Sequence, residues 1–243
     1  VGKPAMIAKA RAKGNFDTRE PGKPFDNWIQ QVNECNAAVD EGVGRVMKAL
    51  EDAGLLENTL VVYSADQGYG LGEHGFNQKV APYDATISSA MIINWPGHVP
   101  QGKVCKHAIN SPDLIDYFCR TAGVSVPWKM HGRDIRPLVE NPEKAEWNAS
   151  MVFTHTARNY GAETDVIPTG PEMTATSNVP WYALLRDGKY KYIRNLTKGE
   201  TEEIYDLDAD PEELTNLAAK PEHAELLKKF RAEASEQVKR TEA

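Results

Sequence analysis

The stretch TLVVYSADQGYGLGEHGFNQK, residues 59–79, decides how the chain is read. Leu60, Val61, Val62 and Tyr63 form a run of aliphatic, β-branched and aromatic residues with no polar break, the pattern of a strand buried on both faces of a parallel sheet. Asp66 and Gln67 follow closely, and Gly68, Gly70, Gly72 and Gly75 crowd residues 68–75. A carboxylate and an amide thus stand at the carboxyl end of a strand, on a loop whose backbone can approach closely, and in open α/β sheets ligands bind there. Both side chains offer oxygen, the donor that calcium and magnesium prefer, and Lys79 brings a mobile positive charge to the same rim. An oxygen-held metal beside an ammonium is a site for an anion. Taken alone, the same Asp-x-Gly pattern is also an ordinary turn in which aspartate caps and glycine bends, so the local reading stays open.

Upstream, apolar residues recur at helical spacing from Asp26 to Ala53 (Ile29, Val32, Ala37, Val39, Val43, Val46, Met47, Leu50), with Gly54 at the C-cap position. This amphipathic helix feeds the strand through LLENT, the helix-to-strand passage of an α/β unit. Residues 1–25, rich in Lys, Arg, Gly and Pro, read as a surface segment or connection. Downstream, Ala90 to Trp95 form a second apolar strand stopped by Pro96 and Gly97. Ser111, Pro112 and Asp113 announce a helix, with Leu114, Ile115, Tyr117, Phe118 and Ala122 as its buried stripe and Gly123 as its end.

Between about residues 125 and 150 the composition shifts to Pro, Asn, Glu and Trp, and the period then changes. Met151–Thr156, Trp181–Arg186, Lys189–Arg194 and Glu203–Leu207 read as short antiparallel strands, with Asp187-Gly188 as a hairpin signal. The Gly-, Pro- and Thr-rich stretch 159–178 reads as a long loop. Asp210 and Glu213 have the spacing of a capping box. A last helix from Pro221 to about Lys239 puts Leu227, Phe230, Ala234 and Val238 on one face, to pack on the small sheet. The expected organisation is therefore a connection over 1–25, an α/β part over 26–148 and a C-terminal α+β subdomain over 149–243.

At 243 residues the chain has the composition of a globular protein. Its net charge of −7, with basic and acidic residues interleaved, argues against nucleic acid as a partner. Three cysteines at unrelated spacings make neither a disulfide framework nor a zinc site. No apolar run is long enough to span a membrane, and no signal-peptide pattern stands at Val1. Asn148 and Asn195 open short glycosylation sequons.

TLVVYSADQG, LGEHG, Lys79 five residues past His74, and IINWPG at 92–97 resemble, in that order, the C-terminal part of the type I sulfatases of the alkaline phosphatase superfamily. The resemblance continues through HGRDIRPLVEN (131–141) and EIYDLDADPEELTNLA (203–218), covering roughly residues 28 to 235. It implies the C-terminal part of a sulfatase-like α/β sandwich plus a small antiparallel sheet-and-helix subdomain. It also implies a metal-dependent sulfuric ester hydrolase acting on a sulfated sugar or small sulfate ester. Asp66 and Gln67 would be metal ligands, for calcium first and magnesium second, with Gln67 standing where relatives often have Asn or His. Lys79 would contact a sulfate oxygen or the bridging oxygen; a solvated surface lysine is the alternative. His74 would donate to the leaving group, orient a ligand, or fix the loop by hydrogen bonds. His131 and His155 are read as structural or pocket-edge, and Arg133 as a tie between subdomains.

The family's nucleophile, a formylglycine made from the first residue of a Cys-x-Pro-x-Arg or Ser-x-Pro-x-Arg motif, has no match around Cys35, Cys105, Cys119 or any serine. The chain accordingly reads as the C-terminal portion of a longer enzyme, inactive alone on aryl sulfates and at most a weak calcium binder. Left alone it would expose a strand edge and an apolar face, and so would form homo-oligomers or associate with the N-terminal half. The resemblance implies a periplasmic, secreted or lysosome-like location if a signal peptide precedes it. Two other readings stay open: a phosphate or phosphonate ester hydrolase of the same superfamily, and a non-catalytic anion- or partner-binding module.

Overall fold

The computed structural model describes residues 2–7, 25–126, 128–147, 149–155, 175–176 and 179–241. Helix α1, Phe25–Asp52, ends where Gly54 adopts φ +67° and the Leu55 amide donates to the Leu50 carbonyl at 2.9 Å, the left-handed cap expected there. Its apolar stripe is only partly covered: Ile29, Val32, Val43, Met47 and Leu50 are half-buried, while Val39 and Val46 are exposed.

Strand β1, Val61–Ser64, has one partner among the described residues, β4, Met91–Asn94. That pairing is antiparallel, with Tyr63 opposite Ile92, and both of these side chains are exposed. The expected parallel strand buried on both faces is therefore corrected. An unbroken apolar run states how much cover a strand wants but not which way its neighbour runs. One side of the pair does pack, through Leu60 and Ile93, on Tyr117, Ile135, Leu138 and Val139.

Between these strands the chain makes a two-residue ladder, β2 (Gly70–Leu71) with β3 (Asn77–Gln78), and a one-turn helix α2, Asp84–Ile87. Helix α3 spans Ser111–Thr121, and its cap is Asn110 rather than Ser111. Of the stripe expected on it, Tyr117 is buried and Leu114 half-buried, whereas Ile115 and Phe118 are exposed. A short helix α4, Arg136–Glu140, closes this layer.

The C-terminal part is a four-stranded antiparallel sheet in the order β10-β9-β8-β5, where β5 is Met151–His155, β8 Tyr182–Asp187, β9 Tyr190–Asn195 and β10 Glu203–Asp206. The hairpin lies one residue later than expected: Asp187 pairs with Tyr190, and Gly188 (φ +54°) and Lys189 form the turn. A further two-residue pair joins β6, Ala175–Thr176, to β7, Val179–Pro180; the remainder of the expected 159–178 loop and the Asn148 sequon lie outside the described residues.

Helix α5, Ala224–Thr241, follows a 3-10 turn at Pro221–His223. Its Phe230 and Ala234 pack on Leu185, Tyr192 and Ile204, as the spacing predicts. The Asp210 capping box does not form. Asp210 instead accepts the Leu214 and Thr215 amides at 3.0 and 2.7 Å, and Glu213, at φ +55° and 1% exposed, turns into the core.

The opposite face of the sheet carries the core that matters for the site. Tyr182, Leu184, Ile193 and Tyr205 pack with Phe76, Ala81 and Tyr83, residues that follow the glycine-rich loop. Met6 and Ile7, 1% and 6% exposed, join the same cluster, so residues 2–7 are not the surface segment expected of 1–25. The Lys- and Gly-rich composition of that stretch masks a Pro-Ala-Met-Ile run apolar enough to fill a core.

Candidate active site

The end of β1 delivers Asp66 and Gln67 onto a loop pressed against the carboxyl end of α2. A Cβ added at Gly68 would lie 2.5 Å from the Ser88 carbonyl oxygen and 3.1 Å from that of Ala85, so only glycine allows this approach. The chain then returns through the β2–β3 ladder by a sharp turn in which Gly72 (φ +131°), His74 (φ +53°) and Gly75 (φ +98°) all take left-handed backbone. Glu73 closes the turn by accepting the Leu71 amide at 2.6 Å. His74 stacks on Tyr83 with ring centroids 3.9 Å apart.

Gln78 pairs with Gly70, and Lys79 comes next, so the lysine leaves the ladder level with Tyr69, three residues past Asp66. Asp66 and Lys79 are exposed, and neither side chain is bonded or ion-paired to any described residue; Gln67 is half-buried. Among the described residues there is no cluster of three or more His, Cys, Asp or Glu side chains of the kind that holds a metal. Asp66 and Gln67 have the right donor chemistry for a hard cation, but they supply two of the six to eight oxygens that calcium takes.

Beneath the loop lies a polar network that sequence reasoning missed. Glu203, fully buried, accepts from the hydroxyls of Tyr83 (3.0 Å) and Tyr205 and from the Asn195 amide (3.3 Å). Lys191, 1% exposed, pairs with Asp84 at 2.7 Å and with Glu213, whose other oxygen accepts the Asp84 amide at 2.6 Å. Lys3 donates to the Tyr205 hydroxyl (2.7 Å) and to the Glu213 carbonyl. Burial holds the Glu203 and Glu213 carboxyls above their ordinary range and pulls the Lys3 ammonium below its own. The one available sequence signal was the alternation that puts Lys191 and Glu203 on the apolar face of their strands. Asn195, the first residue of a sequon, is buried and bonded to Thr201 and Glu203, so its amide is closed to a glycan in the folded chain.

Arg133 ties the parts together as expected. Its guanidinium grips the 1%-exposed Asp113 carboxylate, donates to the Ala108 and Ala149 carbonyls at 3.2 and 3.0 Å, and lies over Trp147. Gly132 makes room, since a Cβ there would meet the Pro112 carbonyl at 2.1 Å. His131 is exposed, and His155 is half-buried against Tyr182, with burial lowering its pKa. A groove of about 1360 Å³ opens between α3, the 129–133 segment, β5 and α5, and an apolar one of about 660 Å³ lies beside β4. Asp66, Gln67, His74 and Lys79 line neither.

Residues 72–240 match the family model described as N-sulphoglucosamine sulphohydrolase, C-terminal, and residues 8–124 match the model described as Sulfatase. The chain is 30% identical over 208 residues to an N-acetylglucosamine-6-O-sulfatase of Bacteroides thetaiotaomicron, covering 85% of this chain and 35% of that protein. A solved complex of a protein with its substrate D-glucosamine-2-N,6-O-disulfate superposes with TM-score 0.70 at 30% identity, over 84% of this chain and 39% of the other. The phosphonate monoester hydrolase of Agrobacterium radiobacter gives TM-score 0.65 at 25% identity, over 85% and 40%. The chain thus spans between 35% and 42% of the length of the first three curated relatives it matches. No helix among the described residues is long and apolar enough to cross a membrane.

Proposed function

Because the chain belongs to the type I sulfatase family of the alkaline phosphatase superfamily, we propose that it forms the anion-gripping part of a sulfuric ester hydrolase acting on a sulfated sugar or other sulfate ester. The observation that carries this reading is the exposed Asp66 and Lys79, both without partners among the described residues, on one loop that the β2–β3 ladder and the left-handed turn at Gly72–Gly75 fold back on itself.

Cleaving a sulfate ester needs a nucleophile, neutralisation of charge on the non-bridging oxygens, and a proton for the departing alkoxide. Asp66 and Gln67 would hold calcium, or magnesium, which when bound supplies positive charge to the sulfate oxygens. Lys79 donates from Nζ to a sulfate oxygen or to the bridging oxygen, fixing the ester and stabilising the leaving group. His74 carries a weaker form of the donor role, since its ring already rests on Tyr83 and holds the turn. This reading requires a formylglycine nucleophile and further metal ligands in addition to the residues named here. The 26–148 part then presents the loop and the 149–243 part braces it, in a periplasmic, secreted or lysosome-like protein. The apolar side chains left exposed on β1, β4 and α3 associate with the rest of the enzyme or with a second copy.

The test is Lys79→Ala in the complete enzyme that contains this chain. On a sulfate monoester it lowers kcat/KM by about 10² to 10³, and chelation of divalent cations abolishes turnover of the parent. Unchanged kinetics in the variant would overturn the assignment. The likeness to a phosphonate monoester hydrolase favours one second reading, in which the preferred substrate is a phosphonate or phosphate ester. Comparing kcat/KM for matched sulfate and phosphonate esters separates the two.

A further inference from the structure

We propose that Tyr182 is a positioning residue for Lys79, its hydroxyl holding the Val80 carbonyl and so fixing the direction in which the chain presents the lysine ammonium. The proposal rests on the reading of Lys79 as an anion-binding group.

Val80 has φ +92°, in the left-handed region that a β-branched residue strongly avoids. Backbone strain of this kind persists only where the surroundings over-determine it, and it gathers at functional sites. What fixes the turn can be named. On one side Gln78 is paired with Gly70; on the other, Ala81 and Tyr83 are fully buried, and the Thr86 hydroxyl donates to the Ala81 carbonyl. Lys79 and Val80 bridge those two anchored points. Into the gap the Tyr182 hydroxyl donates to the Val80 carbonyl at 2.9 Å.

Tyr182 belongs to β8, 102 positions later in the chain, and is itself immobilised. It is 1% exposed, pairs in register with His155 and Asn195, and packs its ring 6.0 Å from Phe153 and 5.3 Å from His155. Burial raises its pKa far above the usual phenol value, so the hydroxyl keeps its proton and acts as a donor throughout the working range. A group this rigid, bonded to the carbonyl of the residue next to Lys79, makes the C-terminal sheet the reference frame for that lysine.

The experiment is a double-mutant cycle in the complete enzyme, read by kcat and KM on a sulfate monoester and by calorimetric affinity for inorganic sulfate. Tyr182→Phe is expected to lower kcat/KM by about tenfold to a hundredfold and to weaken sulfate binding in parallel, because a small misplacement of a charged group carries a cost of that order. Combined with Lys79→Ala it adds nothing further, since no ammonium remains to be aimed. Parental kinetics and sulfate affinity in Tyr182→Phe, or losses that multiply in the double variant, would overturn the proposal. If Lys79→Ala itself keeps parental sulfate affinity and turnover, the reading of Lys79 fails first and the proposal falls with it. Should Tyr182→Phe not fold, Val80→Gly gives the same test: it leaves the tyrosine in place and frees the turn. It should weaken sulfate binding severalfold, and an unchanged affinity would again refute the proposal.

Discussion

Glu203 is an acid with no path to water, surrounded by Tyr83, Tyr205, Asn195 and, through Tyr205, by Lys3. Desolvation raises its pKa above the ordinary glutamate value of 4.5, and the Lys3 charge only partly opposes this. For a carboxyl whose folded value lies above its unfolded one, the stabilising contribution is complete below 4.5 and is lost as pH rises through the folded value. Glu203→Gln carries no such titration. The unfolding free energy of the variant relative to the parent should therefore increase as pH rises from 4.5 toward neutrality. Urea titrations across that range provide the check, and a difference independent of pH would refute it. Single positions were unevenly legible. Asp66 at a strand end and the glycines behind it could be read directly, because their conformational demands are local. The left-handed backbone of Val80 could not, because tertiary packing imposes it against the residue's own preference.

Between elements, the 1%-exposed Asp113 near the start of α3 depends on one cation. Arg133→Ala strands that carboxylate and also abandons the Ala149 carbonyl just ahead of β5. The expected loss is about 3 to 5 kcal/mol in urea denaturation. Arg133→Lys should recover little of it, since a single ammonium cannot reproduce a forked grip on carboxylate and carbonyls. A loss below about 1 kcal/mol, the range of surface ion pairs, would contradict the buried role. Helices α1, α3 and α5 and the antiparallel strands were readable because period and caps are written along the chain. The partner of β1 was not, since an unbroken apolar run fits either strand direction. The Asp210–Glu213 spacing fits a helix start equally well, but Glu213 is drawn inward by Lys191, a residue that no local window contains.

Over the whole molecule, apolar side chains stand uncovered on several elements at once: Val39 and Val46 on α1, Tyr63 on β1, Ile92 on β4, Ile115 and Phe118 on α3. Ile92 is 60% exposed and faces Tyr63 across the ladder, at an edge that a further strand could extend. The 243-residue chain by itself should self-associate in light scattering at micromolar concentration, and Ile92→Lys should shift it toward monomer. A parent chain that is already monomeric would argue that these faces are too dispersed to drive association.

The segment at residues 2–7 sets an order of events during synthesis. Met6 and Ile7 are made well before the strands they pack on, since Leu184, Ile193 and Tyr205 follow some two hundred residues later. Asn216 likewise waits to grip the Gly2 carbonyl. At ordinary translation rates an oily tetrapeptide goes without its partners for ten seconds or more, on the order of the synthesis time of the rest of the chain. Nascent chains stalled before residue 180 should therefore recruit hydrophobic-binding chaperones at residues 4–7, and release them once β10 has emerged.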